Sequence, residues 1–550
     1  MSCVVTPSQA VERDCAAAVP AMGPPMASDS SATPQAPVMI LRFRIEIPPC
    51  ASVRGESSAL RCAVLQTLLA SRWFPEVPRQ TWFAEPKPMK VNDLLRLSVT
   101  DVALGGKALA RHEGRVVFID RGLPGDEVEA RVSRIRRNFA EAGLGRLLAG
   151  GPDRVTPPCP HVAQCGGCRF QELDYAAQCR LKERQVRETL VHLGGIAEPP
   201  VQAITPAPEP WHYRNKMEFS FHREPDGTPR LGLHERGTFD RVFALETCLL
   251  PSERTVEIVR LTQRFAQAQR WQAYHPRHHD GVVRYLTVRH LPATGQCAVH
   301  LVAASDEIPG LEAWAAEVMG LGDDVRSVTL LLNRSRANVA FGEEERVLRG
   351  GATIVERLLG LEFEVSANAF LQTNSRQAEA LYTAALEAAR LEGGETVLDL
   401  YCGTGTLTLL FARAVGDGTV VGVESGEAAV AHAIRNAARN GLARTRFVTG
   451  EARRVLREWA RGERAGALRP TLVVVDPPRA GLHPRVVARI AELAPQRVVY
   501  VSCNPATLAR DLKDFAALGY PVAEVRPFDM FPHTPHIECV ARLERAGAGG

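Results

Sequence analysis

Between residues 95 and 132 polar and apolar side chains alternate in short bursts. Leu95-Arg96-Leu97-Ser98-Val99, Val116-Val117-Phe118-Ile119 and Glu127-Val128-Glu129-Ala130-Arg131-Val132 read as strands, because a period of two puts one face on a core. Gly105-Gly106, Gly114 and Pro124-Gly125-Asp126 separate them as turns. The pattern predicts a small β-barrel of the oligonucleotide-binding sort. Helical spacing follows from Tyr175 to His192. Strand-like runs come next at Met217–Phe221, Val283–Arg289 and Ser327–Leu332, and a helix is expected from Gln377 to Arg390. Beyond residue 391 the apolar runs become continuous: Thr396–Leu400, Thr419–Val423, Leu472–Val475 and Val498–Val501, with alanine-rich helical stretches between them. Strands buried on both faces read this way. The expected fold class is therefore α/β. A doubly wound C-terminal domain holds its ligand at the carboxyl ends of the strands, and a mixed α+β region and a barrel precede it.

Length and composition add boundaries. A chain of 550 residues is too long for one core. The expected division is 1–88, 89–148, 149–390 and 391–550. The first segment is rich in Pro, Ser and Ala and buries too little to offset its ordering entropy. It is expected to be a disordered extension or a mis-assigned start, with Met89 as the true one; Ser58–Phe74 is its one helix-like run. A net charge of +4 does not announce a nucleic-acid binder, so a basic surface must be local. Arg131, Arg134, Arg136 and Arg137 form one candidate, either a solvated edge or a phosphate-contacting patch. No run of about 18 apolar residues is present, and the first twenty residues lack a secretory signature. Thirteen cysteines, clustered and odd in number, favour metal or catalysis over a disulfide framework. The expected compartment is the cytoplasm.

Five short motifs carry candidate chemistry. Asp399-Leu-Tyr-Cys-Gly-Thr-Gly405 follows a strand and opens a helix. Its glycines let backbone approach a ligand. A dinucleotide fingerprint would end in a third glycine, where Leu407 or Thr408 stands, so NAD is disfavoured. Glu424 closes the next strand and can accept hydrogen bonds from a ribose diol. Together these favour S-adenosylmethionine. Val501-Ser502-Cys503-Asn504-Pro505 puts a cysteine in a polar turn at a strand end, and Pro535-His536-Ile537-Glu538 supplies a carboxylate. Carbon 5 of uracil is a poor nucleophile. A thiolate adding at carbon 6 makes it reactive, and a base must later take the proton from carbon 5. Cys503 and Glu538 suit those roles. The plainer readings are a buried structural cysteine and a surface carboxylate. Asp476-Pro477-Pro478-Arg479 resembles the motif of base-nitrogen methyltransferases, but Arg479 replaces the stacking aromatic, which suits a uracil better. Cys402 is a rival nucleophile, inside the cofactor turn. The last motif, Cys159-x5-Cys165-Gly-Gly-Cys168, places three thiols in ten residues and favours a metal centre. Cys179 or Cys248 could complete it, and the residues leave tetrahedral zinc and an iron–sulfur cubane both open.

From Met89 onward the chain resembles the RNA 5-methyluridine methyltransferase family, most of all its bacterial 23S ribosomal type. The resemblance implies that residues 89–148 are a TRAM-like RNA-binding barrel, 149–390 a central iron–sulfur domain and 391–550 the methyltransferase domain. It implies Cys503 as nucleophile and Glu538 as base. It also implies Gln372 (in Phe370-Leu-Gln-Thr-Asn374), Tyr401, Glu424 and Asp476 as cofactor-side residues, with Glu451 a further candidate near the adenine. Thr406 stands where the family often has asparagine and could donate through its hydroxyl. For the cysteines the resemblance selects a [4Fe–4S] cluster on Cys159, Cys165, Cys168 and Cys248. The expected partner is structured RNA, ribosomal before transfer RNA, bound by a monomer with no membrane association. A non-catalytic RNA-binding factor would have lost Cys503 or Glu538, and both are present.

Overall fold

The computed structural model describes residues 89–463 and 468–547. The expectations for residues 1–88, including the helical run Ser58–Phe74, lie outside the described residues. The alternating segment forms five strands: β1 (Leu94–Val102), β2 (Ala108–His112), β3 (Arg115–Ile119), β4 (Glu127–Ile135) and β5 (Phe139–Ala149). They close into a barrel in the order β1-β2-β3-β5-β4, with β4 pairing back onto β1. The period-two pattern does what it predicts: Leu95, Leu97 and Val99 point inward with Val117, Ile119, Val128 and Val132. Gly105 and Gly106 turn β1 into β2 with φ of +88° and +85°. A Cβ on Gly106 would fall 2.7 Å from Arg169 and 3.3 Å from Pro535, so this turn rests against the loop that precedes Glu538. The four arginines of the candidate basic patch are all exposed.

The central region is built on a seven-stranded sheet: β6 (Lys216–Arg223), β7 (Pro229–His234), β8 (Val242–Ala244), β9 (Val283–His290), β10 (Cys297–Ala303), β11 (Val325–Leu332) and β12 (Glu344–Gly350). Its order is β12-β11-β10-β9-β6-β7-β8. Helices Glu253–Ala268 and Leu311–Met319 share a core with its apolar face, through Phe219, Leu286, Val299, Leu301 and Val328. A hairpin of β13 (Thr353–Leu358) and β14 (Leu361–Ser366) leads to helix Ser375–Ala389, whose first turn is capped by the Asn374 side chain accepting from the Gln377 amide.

The last region holds β15 (Thr396–Leu400), β16 (Thr419–Glu424), β17 (Arg446–Thr449), β18 (Leu472–Val475), β19 (Arg497–Ser502), β20 (Val522–Phe528) and β21 (Glu538–Glu544). Their order is β17-β16-β15-β18-β19-β21-β20. The first five run parallel, as their two-sided burial requires. The closing pair was not foreseen in the sequence: β21 runs antiparallel between β19 and β20. Helix Tyr175–His192 forms as its spacing predicts, and Val186 and Leu190 bury beside Leu508 and Leu512 in the core of this sheet. Among the described residues no helix is long and apolar enough to cross a membrane.

Candidate active site

The carboxyl ends of β15, β16, β18 and β19 and the start of β21 share one end of the sheet. The turn after β15 is held open for a ligand. Tyr401 takes a left-handed φ of +66°, and Gly403 and Gly405 follow at +53° and +87°. A Cβ on Gly405 would press on Ala433 at 3.0 Å. Helix Thr406–Ala414 begins here, so its first amides and positive dipole end face the turn. Glu424 fastens the turn from the side. One oxygen accepts from the Gly403 amide at 3.2 Å, and the other accepts from Gly426 N at 2.8 Å. Asp399 accepts from the Thr408 hydroxyl at 2.5 Å, and its other oxygen is buried without a partner. Cys402 packs its sulfur against Gly422, and burial beside Asp399 and Glu424 drives its thiol well up; it serves as filler. Glu451 caps nothing through its side chain; it is exposed and pairs with Arg453 at 3.3 Å, near enough for its charge to bear on Tyr401.

Cys503 follows the last residue of β19. Ser502 is the cross-strand partner of Cys539, so Cys503 and Glu538 come out beside each other at the end of the β19/β21 ladder. Asn504 caps helix Pro505–Ala517 and donates through Nδ2 to the Arg479 carbonyl at 3.1 Å. Thr507 Oγ1 donates to the same carbonyl. The Cys503 turn and the Asp476–Arg479 turn are thus stapled together. Glu538 is 3% exposed. Burial, then the Asp476 charge, push its carboxyl well above the usual range, against a smaller downward pull from Arg479. Burial alone lifts Asp476 to about 7. Burial, then Asp476 and Glu424, set against the Thr408 bond, lift Asp399 to about 7. The Cys503 thiol is pushed to about 11 by burial, Glu538 and Asp476, with Arg479 opposing. Clustered carboxylates in a dry site resist ionisation together. A cationic ligand would relieve that repulsion.

Gln372 enters from the other side. Its carbonyl accepts from Asn215 Nδ2 at 2.9 Å, and Asn374 Nδ2 donates to the Met530 carbonyl at 3.1 Å. Residues 529–537, which deliver Glu538, are gripped at several points. Lys182 and Asp529 form an ion pair of 2.6 Å with both side chains wholly buried, and Lys182 also donates to the Phe531 carbonyl. Gln178 accepts from the His533 amide, and its Nε2 meets the His533 ring at 3.2 Å. Arg169 N and Phe170 N both donate to the His533 carbonyl, at 2.9 and 3.0 Å. His533 holds φ at +66° and stacks on Trp211 at 3.7 Å. None of Gln178, Lys182, Trp211 or Asp529 is legible in the sequence as part of a site. The only hint is that Gln178 and Lys182, four residues apart, are polar on the buried stripe of a helix.

The four cysteines named by the resemblance wall one cavity of about 670 Å³ with Gln171, Arg214 and Phe370. Cys179 is not in that wall; it lies by Asp529. Burial comes first in lifting Cys168 to about 11 and Cys248 to about 12, and the charges of the other cluster thiols add to it. Among the described residues no three His, Cys, Asp or Glu side chains converge to hold a metal ion.

A sequence model described as tRNA (uracil-5-)-methyltransferase matches residues 174–546, and a TRAM-domain model matches residues 88–144. The chain belongs to the tRNA (uracil-5-)-methyltransferase family. An uncharacterized RNA methyltransferase of Gloeobacter violaceus is 38% identical over 463 residues, 84% of this chain and 99% of its own. One from Bacillus cereus is 36% identical over 83% of this chain and 98% of its own. The crystal structure of the Pyrococcus abyssi tRNA (uracil-54, C5)-methyltransferase with S-adenosyl-L-homocysteine is 29% identical. It covers 82% of this chain and 99% of its own, with a TM-score of 0.66. This family member is an RNA methyltransferase, with a TRAM barrel ahead of an α/β methyltransferase domain.

Proposed function

We propose that the protein methylates carbon 5 of a uridine in ribosomal RNA of the 23S type through a covalent adduct on Cys503. The observation that carries this reading is the end of the β19/β21 ladder, where a thiol and a buried carboxylate stand beside each other over the Asp476–Arg479 turn. Cys503 gives its proton to solvent and its sulfur adds to carbon 6 of the uracil, moving an electron pair toward the carbonyl at carbon 4. Bound S-adenosylmethionine would supply the methyl group, carbon 5 forming the new bond to it as the sulfonium S–CH3 bond breaks and S-adenosylhomocysteine leaves. Glu538, as carboxylate, takes the proton from carbon 5. The pair left behind re-forms the double bond and expels the sulfur. An acid with a raised pKa is a strong base once ionised, and the cationic cofactor favours its ionisation. Tyr401, Thr406, Glu424, Gln372 and Asp476 line the cofactor and base side in this reading, with Glu451 at the adenine end. The barrel's exposed arginines contact phosphates.

The cysteine cavity fits a [4Fe–4S] cluster better than a single zinc ion. Two buried and two half-buried thiols line a space larger than one ion. Cys159, Cys165, Cys168 and Cys248 would hold the cluster, which would cross-link the segment around residue 165 to that around residue 248. Iron and sulfide analysis of anaerobically purified protein is expected to find four of each per chain, as the proposed cluster requires. Cys248→Ser should lose them.

Incubation with 5-fluorouridine-substituted ribosomal RNA and S-adenosylmethionine tests the chemistry, since fluorine at carbon 5 does not leave as a proton. The adduct is expected to shift on a denaturing gel and to vanish in Cys503→Ala. The relative from Pyrococcus abyssi acts on transfer RNA by its own name, which favours a second substrate reading. An adduct on fluorinated transfer RNA alone would establish that reading, and no adduct on either RNA would remove the covalent mechanism.

A further inference from the structure

Gln372 is the candidate cofactor residue that comes from outside the parallel sheet. It lies in residues 367–374, between β14 and helix Ser375–Ala389, which join no helix or strand. A segment without a ladder must fasten its buried carbonyls elsewhere. Three of them accept from the central region. The Ala369 carbonyl accepts from Arg289 Nη2 at 2.8 Å. The next two both depend on one residue. Asn215 donates through Nδ2 to the Gln372 carbonyl at 2.9 Å, and through its backbone amide to the Thr373 carbonyl at 2.7 Å. Asn215 is itself anchored, since its carbonyl accepts from the amide of His290, the last residue of β9, at 2.8 Å.

Asn215 directly precedes β6 and is 3% exposed. Its Nδ2 carries two hydrogens, and the second goes to Ser375 Oγ at 2.8 Å. Ser375 Oγ donates in turn to Glu356 Oε2 at 2.6 Å. Glu356, in β13, is wholly buried, and its other oxygen accepts from the Arg357 amide at 3.0 Å. A hydroxyl has one hydrogen. With Glu356 taking it, Ser375 Oγ can only accept from Nδ2. The chain from Asn215 through Ser375 to Glu356 therefore runs in one direction, and it fixes which end of the Asn215 carboxamide faces Gln372. Asn215 Oδ1 is buried without a partner, so the Nδ2 end alone sets that orientation. The same stretch reaches the base: Tyr213 donates to the Pro532 carbonyl at 3.1 Å, in the loop before Glu538.

We propose that Asn215 is a positioning residue that aims the Gln372 side chain at the cofactor, with Ser375 and Glu356 holding it from behind; this rests on the reading of Gln372 as a cofactor contact. Asn215 acts through Gln372. Its two hydrogen bonds fix successive carbonyls, and with them the direction in which the Gln372 side chain leaves the backbone. A contact aimed in this way needs no reordering when the ligand arrives, so the entropy of fixing it is lost in folding and not in binding. The central region thereby sets one side of a cofactor site whose other residues all come from the parallel sheet.

The test is a double-mutant cycle on the full chain, free of RNA, read by calorimetric titration with S-adenosylhomocysteine. It compares wild type, Asn215→Ala, Ser375→Ala and Gln372→Ala, and each of the first two variants combined with Gln372→Ala. Asn215→Ala and Gln372→Ala are each expected to bind about five- to ten-fold more weakly, as loss of one hydrogen bond implies. Asn215→Ala with Gln372→Ala should be no more than about two-fold weaker than Gln372→Ala alone, because Asn215 then has nothing left to aim. Ser375→Ala is expected to lose about two- to three-fold and nothing further beside Gln372→Ala; it carries the test if Asn215→Ala does not fold. In turnover, Asn215→Ala should raise KM for S-adenosylmethionine and leave kcat and KM for RNA within about two-fold of wild type. Losses that multiply in the double variant, to about 25-fold or more, would make Asn215 a general support for the fold and overturn the proposal. A raised KM for RNA with cofactor affinity intact would also overturn it. Wild-type affinity in Ser375→Ala would overturn the part given to Ser375 and Glu356. Wild-type affinity in Gln372→Ala would remove Gln372 from the cofactor site and the proposal with it, a failure that shows without any Asn215 variant and is so distinguished from the others.

Discussion

At the scale of single residues the site is an electrostatic problem with a known sign. Asp399 and Asp476 have their carboxyls raised to about 7 from an ordinary value near 4. The folded protein therefore binds more protons than the unfolded chain between about pH 4 and 7. The contribution of these two groups to stability is full below pH 4 and is lost as pH rises through 7. In the proposed reading S-adenosylmethionine would bring a sulfonium and an ammonium to the same pocket and favour the ionised acids. Cofactor affinity is expected to rise as pH climbs through 7. The thermal midpoint without cofactor should fall over the same range, more steeply than with it. Calorimetric titration and melting curves at pH 5, 7 and 8 check both, and Asp476→Asn should flatten them. A variant as pH-dependent as wild type would remove Asp476 from the account. Glu538→Gln keeps the shape and removes the base, so it is expected to accumulate the Cys503 adduct on ordinary RNA while turnover falls by about 10²–10⁴. Normal turnover without adduct would end the case for Glu538. These residues were legible because each sits in a short motif whose chemistry needs neighbours close in sequence. Lys182 was not, since a lone cation in a helix announces nothing until its burial is known.

At the scale of elements, periodicity found the strands that obey it. Continuous apolar runs gave β15, β16, β18 and β19, and alternation gave β1, β3 and β4 of the barrel but not β2 or β5. It missed β20 and β21, where Pro527 and the charges Glu524, Arg526 and Arg542 interrupt the pattern. Glu524 pairs with Arg526 along β20 and with Arg542 across the hairpin. The missed strand is the one that delivers Glu538. The helix Tyr175–His192 was foreseen in extent but not in purpose. Its Gln178 and Lys182 clamp residues 529–537. Breaking a buried pair strands a charge, which costs about 3–5 kcal/mol, whereas replacing both partners by apolar groups is often neutral. Lys182→Met is thus expected to lower the thermal midpoint sharply, and Lys182→Met with Asp529→Leu to recover most of the loss. The recovered double variant should still turn over slowly, because the Phe531 carbonyl then keeps donors only from Thr534, within the same loop. Full activity in the double variant would show that the loop is held without Lys182.

At the scale of the molecule, the loop before Glu538 is where the three regions meet, and this arrangement is absent from any local pattern. The barrel turn at Gly106 lies against Pro535. Arg169 and Phe170, directly after Cys168, donate to His533. Tyr213 donates to the Pro532 carbonyl, and Asn374 to Met530. Each contact spans more than 150 residues of sequence, so only the closed fold reveals it. The consequence is mechanical. The backbone that follows the third cysteine and the backbone that carries the base share hydrogen bonds, so loss of order in one must loosen the other. Cys168→Ser, or removal of the proposed cluster by oxidation and chelation, is expected to raise amide exchange in residues 529–537 as well as around residue 168. Exchange in β15 and β18, the central strands of the sheet, should stay unchanged. Hydrogen-exchange mass spectrometry on intact protein reads all three segments at once. Faster exchange confined to the cysteine segment would mean that the His533 carbonyl finds other donors and that the two loops are mechanically independent. Faster exchange in both, with β15 and β18 still protected, would make the integrity of the cysteine site a condition for placing Glu538.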